Sequence, residues 1–204
     1  MRGPVFWSLT LPFLLGAAQD DLPAGWKVYS SKDGYFTVSM PGEPKTKKQN
    51  VTTSVAGTLK VVVVIAEGRH YSYFVVSYSD FPLAKLGMGF EDKRLEQACL
   101  GAEDKSKGKI REKKSIKLNG RCPRHEVEKL AHAAGIGVLA SIQFGGEYPG
   151  REIVLEKDGA IIAKMRIYLV ENRLYQIMVL GEGPIFSAKE KDVGIFLNSF
   201  RLNK

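Results

Sequence analysis

The stretch that decides the fold is residues 161–180, which read IIAKMRIYLVENRLYQIMVL. Apolar and branched residues dominate both halves of this stretch, which is typical of strands that are covered on both faces of a sheet. The polar residues 171–173 (ENR) separate the two halves, and a short polar break between two such runs is typical of a hairpin turn. The pattern therefore predicts that strand Ile161–Val170 pairs with strand Leu174–Leu180 in antiparallel fashion.

A series of short strands precedes this hairpin. The chain before residue 80 alternates apolar and β-branched runs with breaks that contain Gly, Pro or Asp, and this alternation predicts an antiparallel meander. The strands of this meander are Gln49–Val55, Leu59–Ala66 and Tyr71–Ser79, and two separate strand candidates, Trp26–Tyr29 and Tyr35–Met40, precede it. The last strand of the meander carries apolar side chains on both faces, so we expect it to be covered on both sides.

Two segments carry the three-and-four spacing of an amphipathic helix. The first is Glu91–Asp104, and its apolar stripe consists of Leu95, Ala98, Cys99 and Ala102. The second is Ser187–Phe200, and its stripe consists of Val193, Phe196, Leu197 and Phe200. Ser187 followed by Glu190 fits a capping box, in which each side chain accepts a hydrogen bond from a backbone amide at the start of the helix.

Further strands are predicted between the two helices, and two segments of this region are alike. The strands are Ile110–Leu118, Glu126–Leu130, Val138–Phe144 and Arg151–Glu156. Residues 115–127 (SIKLNGRCPRHEV) and 141–153 (SIQFGGEYPGREI) are identical at five of thirteen aligned positions. One interpretation is a duplicated strand–turn–strand unit in which Pro149-Gly150 forms the second turn. The other interpretation is chance similarity between two β-turn units.

The order of these elements predicts the fold class. A meander, a helix, more antiparallel strands and a terminal helix together indicate an α+β fold, an antiparallel β-sheet flanked by helices. The chain has 204 residues, of which 44% are hydrophobic and 25% are charged. Length and composition are those of one globular domain, which we place at residues 19–204.

The N-terminus has the three-part pattern of a secretory signal peptide. Arg2 supplies a positive charge, residues 5–15 (VFWSLTLPFLL) are largely apolar, and residues 16–18 (GAA) are small. The apolar run is shorter than the roughly 20 residues that a membrane-spanning helix needs. We therefore expect a signal peptide at residues 1–18, cleavage after Ala18, and a mature protein in the periplasm or outside the cell. A buried first helix or an uncleaved anchor is the alternative.

The chain is basic, with a formal net charge of +8. Its lysines concentrate in residues 45–48 (KTKK) and 105–117 (KSKGKIREKKSIK). Export would separate the chain from nucleic acid, and aromatic residues that could stack on bases do not interleave with these lysines, so nucleic acid is not an expected partner. The clusters are either solvated basic faces or a site for an anion such as a lipid headgroup or an acidic glycan.

No motif in the sequence predicts catalysis, a metal or a cofactor. The zinc-protease helix needs a second His four residues after the first, but Lys129 stands at that distance from His125, and the next histidine is His132. Cys122 lies among basic residues that would lower the pKa of its thiol, but no general base is identifiable beside it. Cys99 is expected to be an inert core thiol, and whether it pairs with Cys122 in a disulfide stays open.

Four polar residues interrupt otherwise apolar strands in the C-terminal part of the chain: Arg151, Glu152, Arg166 and Tyr168. One interpretation is that they converge on one face of the sheet and form a partner-binding site there. The other interpretation, which we prefer, is that they form cross-strand ion pairs and occupy ordinary surface positions.

Several segments resemble PsbP-like proteins and related exported bacterial proteins. Residues 35–44 (YFTVSMPGEP) resemble the opening of that family, residues 166–170 (RIYLV) and 173–177 (RLYQI) its paired central strands, and residues 196–200 (FLNSF) its terminal helix. The resemblance implies an antiparallel sheet sandwiched between helices, the fold that this family shares with Mog-type Ran-binding proteins. It also implies an accessory, assembly or binding role rather than an enzymatic one, although a fold by itself does not fix function.

These observations favour a non-enzymatic accessory or binding module of the cell envelope, which works through an envelope protein or an anionic ligand and needs no cofactor. An anion-binding protein that uses its lysine-rich face is the first alternative, and the two basic clusters motivate it. An unrecognised thiol enzyme or hydrolase that uses Cys122 is the second alternative.

Overall fold

The computed structural model describes residues 22–53, 57–68, 72–81, 90–121, 145–181, 186 and 190–203. Within these ranges the chain forms ten β-strands and two α-helices. The strands are β1 (Trp26–Ser31), β2 (Phe36–Pro41), β3 (Lys45–Thr53), β4 (Gly57–Glu67), β5 (Tyr73–Asp80), β6 (Lys109–Arg121), β7 (Gly145–Lys157), β8 (Ala160–Val170), β9 (Arg173–Leu180) and β10 (Arg201–Leu202). The helices are α1 (Phe90–Ser106) and α2 (Glu190–Ser199).

Most of the strands belong to one antiparallel sheet of seven, in the order β3-β4-β5-β9-β8-β7-β6. The hairpin predicted over residues 161–180 forms β8 and β9, and β9 is the central strand. The turn of this hairpin consists of Glu171, which has a positive φ of 55°, and Asn172. Two-residue turns with positive φ match the twist of the flanking strands. The predicted hairpin is therefore confirmed, with its second strand beginning one residue earlier, at Arg173.

A second, smaller sheet lies against one face of the large one, and its order is β1-β2-β10. The Tyr175 hydroxyl on β9 donates a 2.9 Å hydrogen bond to the carbonyl oxygen of Gly34, in the turn between β1 and β2. Arg173 donates two hydrogen bonds to Asp80, of 2.5 and 2.7 Å, and a third of 2.9 Å to the carbonyl oxygen of Asp33. These contacts fix the β1–β2 turn on the large sheet.

The large sheet has a helix on each face, which makes the fold a layered α+β structure dominated by strands. On one face, α2 and the small sheet enclose an aromatic core that includes Phe36, Tyr175 and Phe200, each at most 2% exposed. On the other face, α1 packs on β7 and β8 through Leu95 and Cys99, both of which are fully buried. The predicted antiparallel sheet flanked by helices is confirmed, and both apolar stripes face it. The small sheet beside α2 was not predicted.

The C-terminal helix ends earlier than predicted, at Ser199 rather than Phe200. The Ser199 hydroxyl donates a hydrogen bond to the carbonyl oxygen of Phe196 and accepts one from the backbone N–H of Ser39, which ties the helix end to β2. Residues Arg201–Leu202 then add the edge strand β10 to β2. A strand of two residues is too short to leave a periodic signal in a sequence.

The predicted turn at Pro149-Gly150 is wrong, because both residues lie inside the continuous strand β7. Residues 146–151 of β7 pair with residues 115–120 of β6, so these parts of the two similar segments lie side by side in antiparallel register. Gly150 allows close packing and does not form a turn, because a Cβ at this position would lie 2.5 Å from a ring carbon of Tyr168. Pro149 pairs with β6, and the pairing of β7 with β8 begins one residue later, so its missing N–H removes no bond to β8.

Several sequence predictions fall on residues outside the described part of the chain, and they stay predictions. They concern the signal peptide at 1–18, the strands Glu126–Leu130 and Val138–Phe144, the residues Cys122, His125 and His132, and Ser187 of the predicted capping box. Within the described ranges, neither helix is long and apolar enough to cross a membrane.

Candidate functional site

A groove lies between α1 and the large sheet. Helix α1 packs on β7 and β8, and the same face of the sheet continues past the helix onto β9, β5, β4 and β3. A cavity of about 900 Å³ lies over this continuation, with one side of α1 as its wall. The apolar residues of its floor include Val61, Val63, Val75, Met178 and Leu180. We call this cavity the α1 groove.

The floor of the α1 groove is a continuous surface because residues directly opposite each other in an antiparallel pair share a face. Val75 lies opposite Met178, and Val63 lies opposite Ser77. Val61, Val63 and Met178 are only partly buried, although the opposite face of the same strands is closed. A group of large apolar side chains left partly exposed in this way is typical of a binding surface.

One polar pair lies in the middle of this apolar floor. The Ser77 hydroxyl donates a 3.2 Å hydrogen bond to Oε1 of Gln176, its cross-strand neighbour. Ser77 is 6% exposed and Ser79, the next residue on that face, is 8% exposed. Within the described residues, the Nε2 donors of Gln176 make no hydrogen bond. A few fixed polar groups in an apolar cavity are what orients a ligand in most small-molecule sites.

The helical wall of the groove is more polar than its floor. It presents Gln97, Leu100, Gly101, Asp104 and Lys105. Leu100 is 55% exposed, and a Cβ at Gly101 would meet no atom within 4 Å. A glycine inside a helix costs about 1 kcal/mol relative to alanine, so the space beside Gly101 is kept at the expense of helix stability.

Phe81 and Arg94 form the end wall of the groove. The guanidinium carbon of Arg94 lies 4.6 Å from the centre of the Phe81 ring, within the range of a cation–π contact. Arg94 is 7% exposed, and this burial lowers the pKa of its guanidinium. The Arg94 cation is therefore part of the protein's own packing at this end.

The two lysine clusters of the sequence lie largely on opposite edge strands of the large sheet. The cluster at residues 105–117, most of it on β6, faces carboxylates: Lys113 lies 2.7 Å from Glu96, and Lys114 lies 2.6 Å from Glu152. Lys117 pairs with Glu147 and Arg111 with Glu156. Most of the positive charge on this edge is thus neutralised by the protein itself.

The cluster at residues 45–48 lies on the other edge strand, because β3 begins at Lys45 and not at the predicted Gln49. Lys47 lies opposite Val63 and Lys45 two residues away, so both share the face of the α1 groove. Lys48 points to the other face, 3.9 Å from Asp33. Among the described residues, neither Lys45 nor Lys47 forms an ion pair.

Three of the four polar residues predicted to converge do share one face. Glu152 lies 2.6 Å from Arg166, its cross-strand neighbour, and Arg166 also donates a 2.9 Å hydrogen bond to the carbonyl oxygen of Leu197 on α2. Tyr168 is 5% exposed and stacks on Phe200, with ring centres 6.2 Å apart. Burial alone would raise the pKa of the Glu152 carboxyl, but the hydrogen bonds from Lys114 and Arg166 hold it below its usual value.

The interpretation that all four residues converge is wrong for Arg151, which lies on the opposite face of the sheet. It donates a 2.8 Å hydrogen bond to Asp92 of α1. The reason is the alternation of side chains along a strand, which points adjacent residues such as Arg151 and Glu152 to opposite faces. Partner binding at Arg151, Glu152, Arg166 and Tyr168 stays a prediction.

Cys99 is a free and fully buried thiol on the apolar stripe of α1, as expected from the sequence. Burial raises the pKa of this thiol, which disfavours the reactive thiolate. Among the described residues, no group of three His, Cys, Asp or Glu side chains is arranged to hold a metal ion.

The sequence analysis did not predict the α1 groove. One signal was present, since Ser77, Ser79 and Gln176 are polar residues in the middle of strands that are otherwise apolar. Their meaning depends on which part of the sheet α1 covers, and that is decided by contacts between residues distant in the chain.

No family model matches the chain, and no curated protein is similar to it. Among solved structures, it is similar to the solution structure of cyanobacterial PsbP (CyanoP) from Synechocystis sp. PCC 6803. The two share 11% sequence identity with a TM-score of 0.48, over 92% of this chain and 98% of the other. At this level the similarity is one of outline only, and it carries nothing about function.

Proposed function

We propose that this chain is a non-enzymatic binding module of the cell envelope and that the α1 groove is its ligand site. The observation that carries the proposal is the cavity of about 900 Å³ with an apolar floor and one central polar pair. Small-molecule sites in proteins are typically clefts of about 300–1,000 Å³, lined by apolar side chains with a few polar groups.

The chemistry of the groove favours binding over catalysis. A serine nucleophile needs a base that takes its proton, but the Ser77 hydroxyl donates to the carboxamide oxygen of Gln176, which is not a base at neutral pH. Cys99 is buried in the core beneath α1. The described polar groups are thus suited to orient a ligand.

The place of this module in the cell envelope rests on the N-terminal pattern of residues 1–18. We expect the protein recovered from the envelope of its own cells to begin at Gln19, and N-terminal sequencing or mass spectrometry of the intact chain measures this directly. A recovered chain that still begins at Met1 would contradict cleavage.

The ligand site is tested with Nile red, an uncharged dye whose fluorescence rises in apolar surroundings. We expect saturable binding of one dye per chain. The Gly101→Leu substitution fills the helical wall of the groove and should weaken this binding at least ten-fold.

The matched control is Gly194→Leu. Gly194 lies on α2, away from the groove, and like Gly101 it has no atom within 4 Å of a Cβ placed on it, so the first side-chain atom is accommodated equally at both positions. Dye binding that is absent, or that is equal in both variants and the unsubstituted protein, would overturn the groove as the ligand site.

A further inference from the structure

We infer that the ligand of the α1 groove is a single-chain amphipathic anion, an alkyl chain that carries one carboxylate or similar acidic headgroup. This inference rests on the proposed function, and it adds the chemical class of the ligand. The alkyl chain lies on the floor, and the positive charge for the headgroup comes from Lys47 on the sheet side or from Lys105 on the helix side.

The shape of the floor suits an alkyl chain. It crosses the four strands β3, β4, β5 and β9, which at about 4.8 Å between neighbours gives a span of about 14 Å. Along this span the side chains are mainly branched aliphatic groups and Met178. The aromatic residues of the described lining are Tyr78 and Phe81. A flexible aliphatic chain can make close contact with such a floor, because the unbranched Met178 side chain adapts its shape to the ligand.

The groove carries positive charge that has no ion-pair partner among the described residues. Lys105 lines the helical wall, and Lys47 extends the row of Val63, Ser77 and Gln176 at the edge strand. Within the described ranges neither lysine forms an ion pair. Asp104, the carboxylate that also lines the groove, lies 3.1 Å from Lys107 and is exposed to solvent.

The lysines in the middle of β6 differ from Lys47 and Lys105. On β6 the lysines at positions 113, 114 and 117 each have a carboxylate partner. An incoming anion at β6 would have to compete with these carboxylates, whereas an anion at Lys47 or Lys105 displaces only water. Charge-assisted hydrogen bonds from lysine to a carboxylate then add to the burial of the chain.

Lysines on an edge strand also have a simpler explanation, which is protection against pairing with the edge of another sheet. That explanation makes Lys47 and Lys48 equivalent, since both lie in the middle of β3. The ligand hypothesis separates them, because Lys47 shares the groove face and Lys48 points to the other face beside Asp33.

The experiment is calorimetric titration of the purified protein with dodecanoate, dodecanol and dodecyltrimethylammonium. Dodecanol is kept below its solubility limit and the two ionic amphiphiles below the concentrations at which they form micelles, in about 0.15 M salt, where screening acts beyond about 8 Å. We expect dodecanoate to bind at least ten-fold more tightly than dodecanol, and the cationic amphiphile to bind most weakly. Acetate, which has the headgroup without the chain, should show no binding.

The variants assign the charge to its residues. We expect the double substitution Lys47→Gln and Lys105→Gln to bring dodecanoate to the affinity of dodecanol without changing the affinity for dodecanol itself. Lys48→Gln, which removes one positive charge from the opposite face of β3, should change the affinity less than two-fold.

The outcomes separate this inference from the function on which it rests. Equal affinity for dodecanoate and dodecanol, with both lost in Gly101→Leu, would overturn the anionic ligand and leave the groove as a site for neutral apolar molecules. An equal loss of dodecanoate affinity in the double variant and in Lys48→Gln would mean that only the net charge of the protein matters, and it would also overturn the inference. Failure of all three amphiphiles and of Nile red to bind would overturn the proposed function.

Discussion

The same strands form both faces of the seven-stranded sheet, but the two faces differ in how completely their apolar side chains are buried. On the face covered by α2 and the small sheet, Val64, Val76 and Ile177 are fully buried. On the face under α1, Val63 and Met178, which are their neighbours in the sequence, stay partly exposed along the groove. Among the described residues, packing therefore closes only one face of the sheet, and the other face keeps apolar side chains that are partly exposed to solvent. We call them the sealed face and the groove face.

The largest expected effect compares Ile177→Ala with Met178→Ala, two neighbours on β9 that point to opposite faces. Ile177→Ala leaves a cavity in a close-packed core and should lower the free energy of unfolding by about 3 kcal/mol. Met178→Ala removes a partly exposed side chain and should cost about 1 kcal/mol or less. Urea denaturation of both variants measures the difference. Equal losses would mean that the groove face is packed as tightly as the sealed one.

A somewhat smaller effect is expected from Gly150→Ala on the sealed face. The added Cβ would lie 2.5 Å from the Tyr168 ring and 2.6 Å from the carbonyl oxygen of Ile167, so overpacking should destabilise the fold by about 1–3 kcal/mol. Gly146→Ala on the same strand is the control, because a Cβ there meets nothing within 4 Å. Thermal unfolding that shows the same loss for both variants would contradict the close approach of β7 to Tyr168.

The acid stability of the protein tests the ion pair at the margin of the sealed face. Because the native pKa of Glu152 is depressed, its contribution to stability is fully present above the ordinary Glu value of about 4.3 and is lost as the pH falls below it. Glu152→Gln should therefore lose about 1 kcal/mol at neutral pH and less near pH 3. Denaturation curves at the two pH values measure this. A deficit that stays the same at both would contradict the depressed pKa.

The smallest expected effect concerns the two helical glycines, one on each side of the sheet. Gly101→Ala and Gly194→Ala should each stabilise the protein by about 0.5–1 kcal/mol, because alanine favours the helix and neither Cβ meets a neighbour. Thermal unfolding checks both variants. A destabilised Gly101→Ala beside a stabilised Gly194→Ala would show that the groove is more closely packed at α1 than we describe.

The secondary structure was predictable because most elements leave a periodic signal in the chain. The apolar runs of β4, β5, β8 and β9 and the helical stripes of α1 and α2 all appear in the structure close to their predicted limits. Pro149-Gly150 was misread because a Pro-Gly pair is a turn signal on local grounds. In the structure a glycine is needed at position 150 because the Tyr168 ring on the neighbouring strand leaves no room for a Cβ.

The site was not predictable for a related reason. Which strands α1 covers, and hence that Val63 and Met178 stay partly exposed while Ile153 and Leu155 are buried, follows from tertiary packing. The basic cluster at residues 45–48 was visible in the sequence, but its division into Lys47 on the groove face and Lys48 on the other depends on where β3 pairs with β4.

The most direct test of the central claim is an NMR measurement of contacts between the protein and bound dodecanoate. We expect intermolecular nuclear Overhauser effects from the alkyl chain to the methyl groups of Val61, Val63 and Met178, and none to Val62, Val64 and Ile177 on the sealed face. Contacts confined to the sealed side, or a saturated protein without contacts to the groove methyl groups, would contradict the claim that the α1 groove is the ligand site.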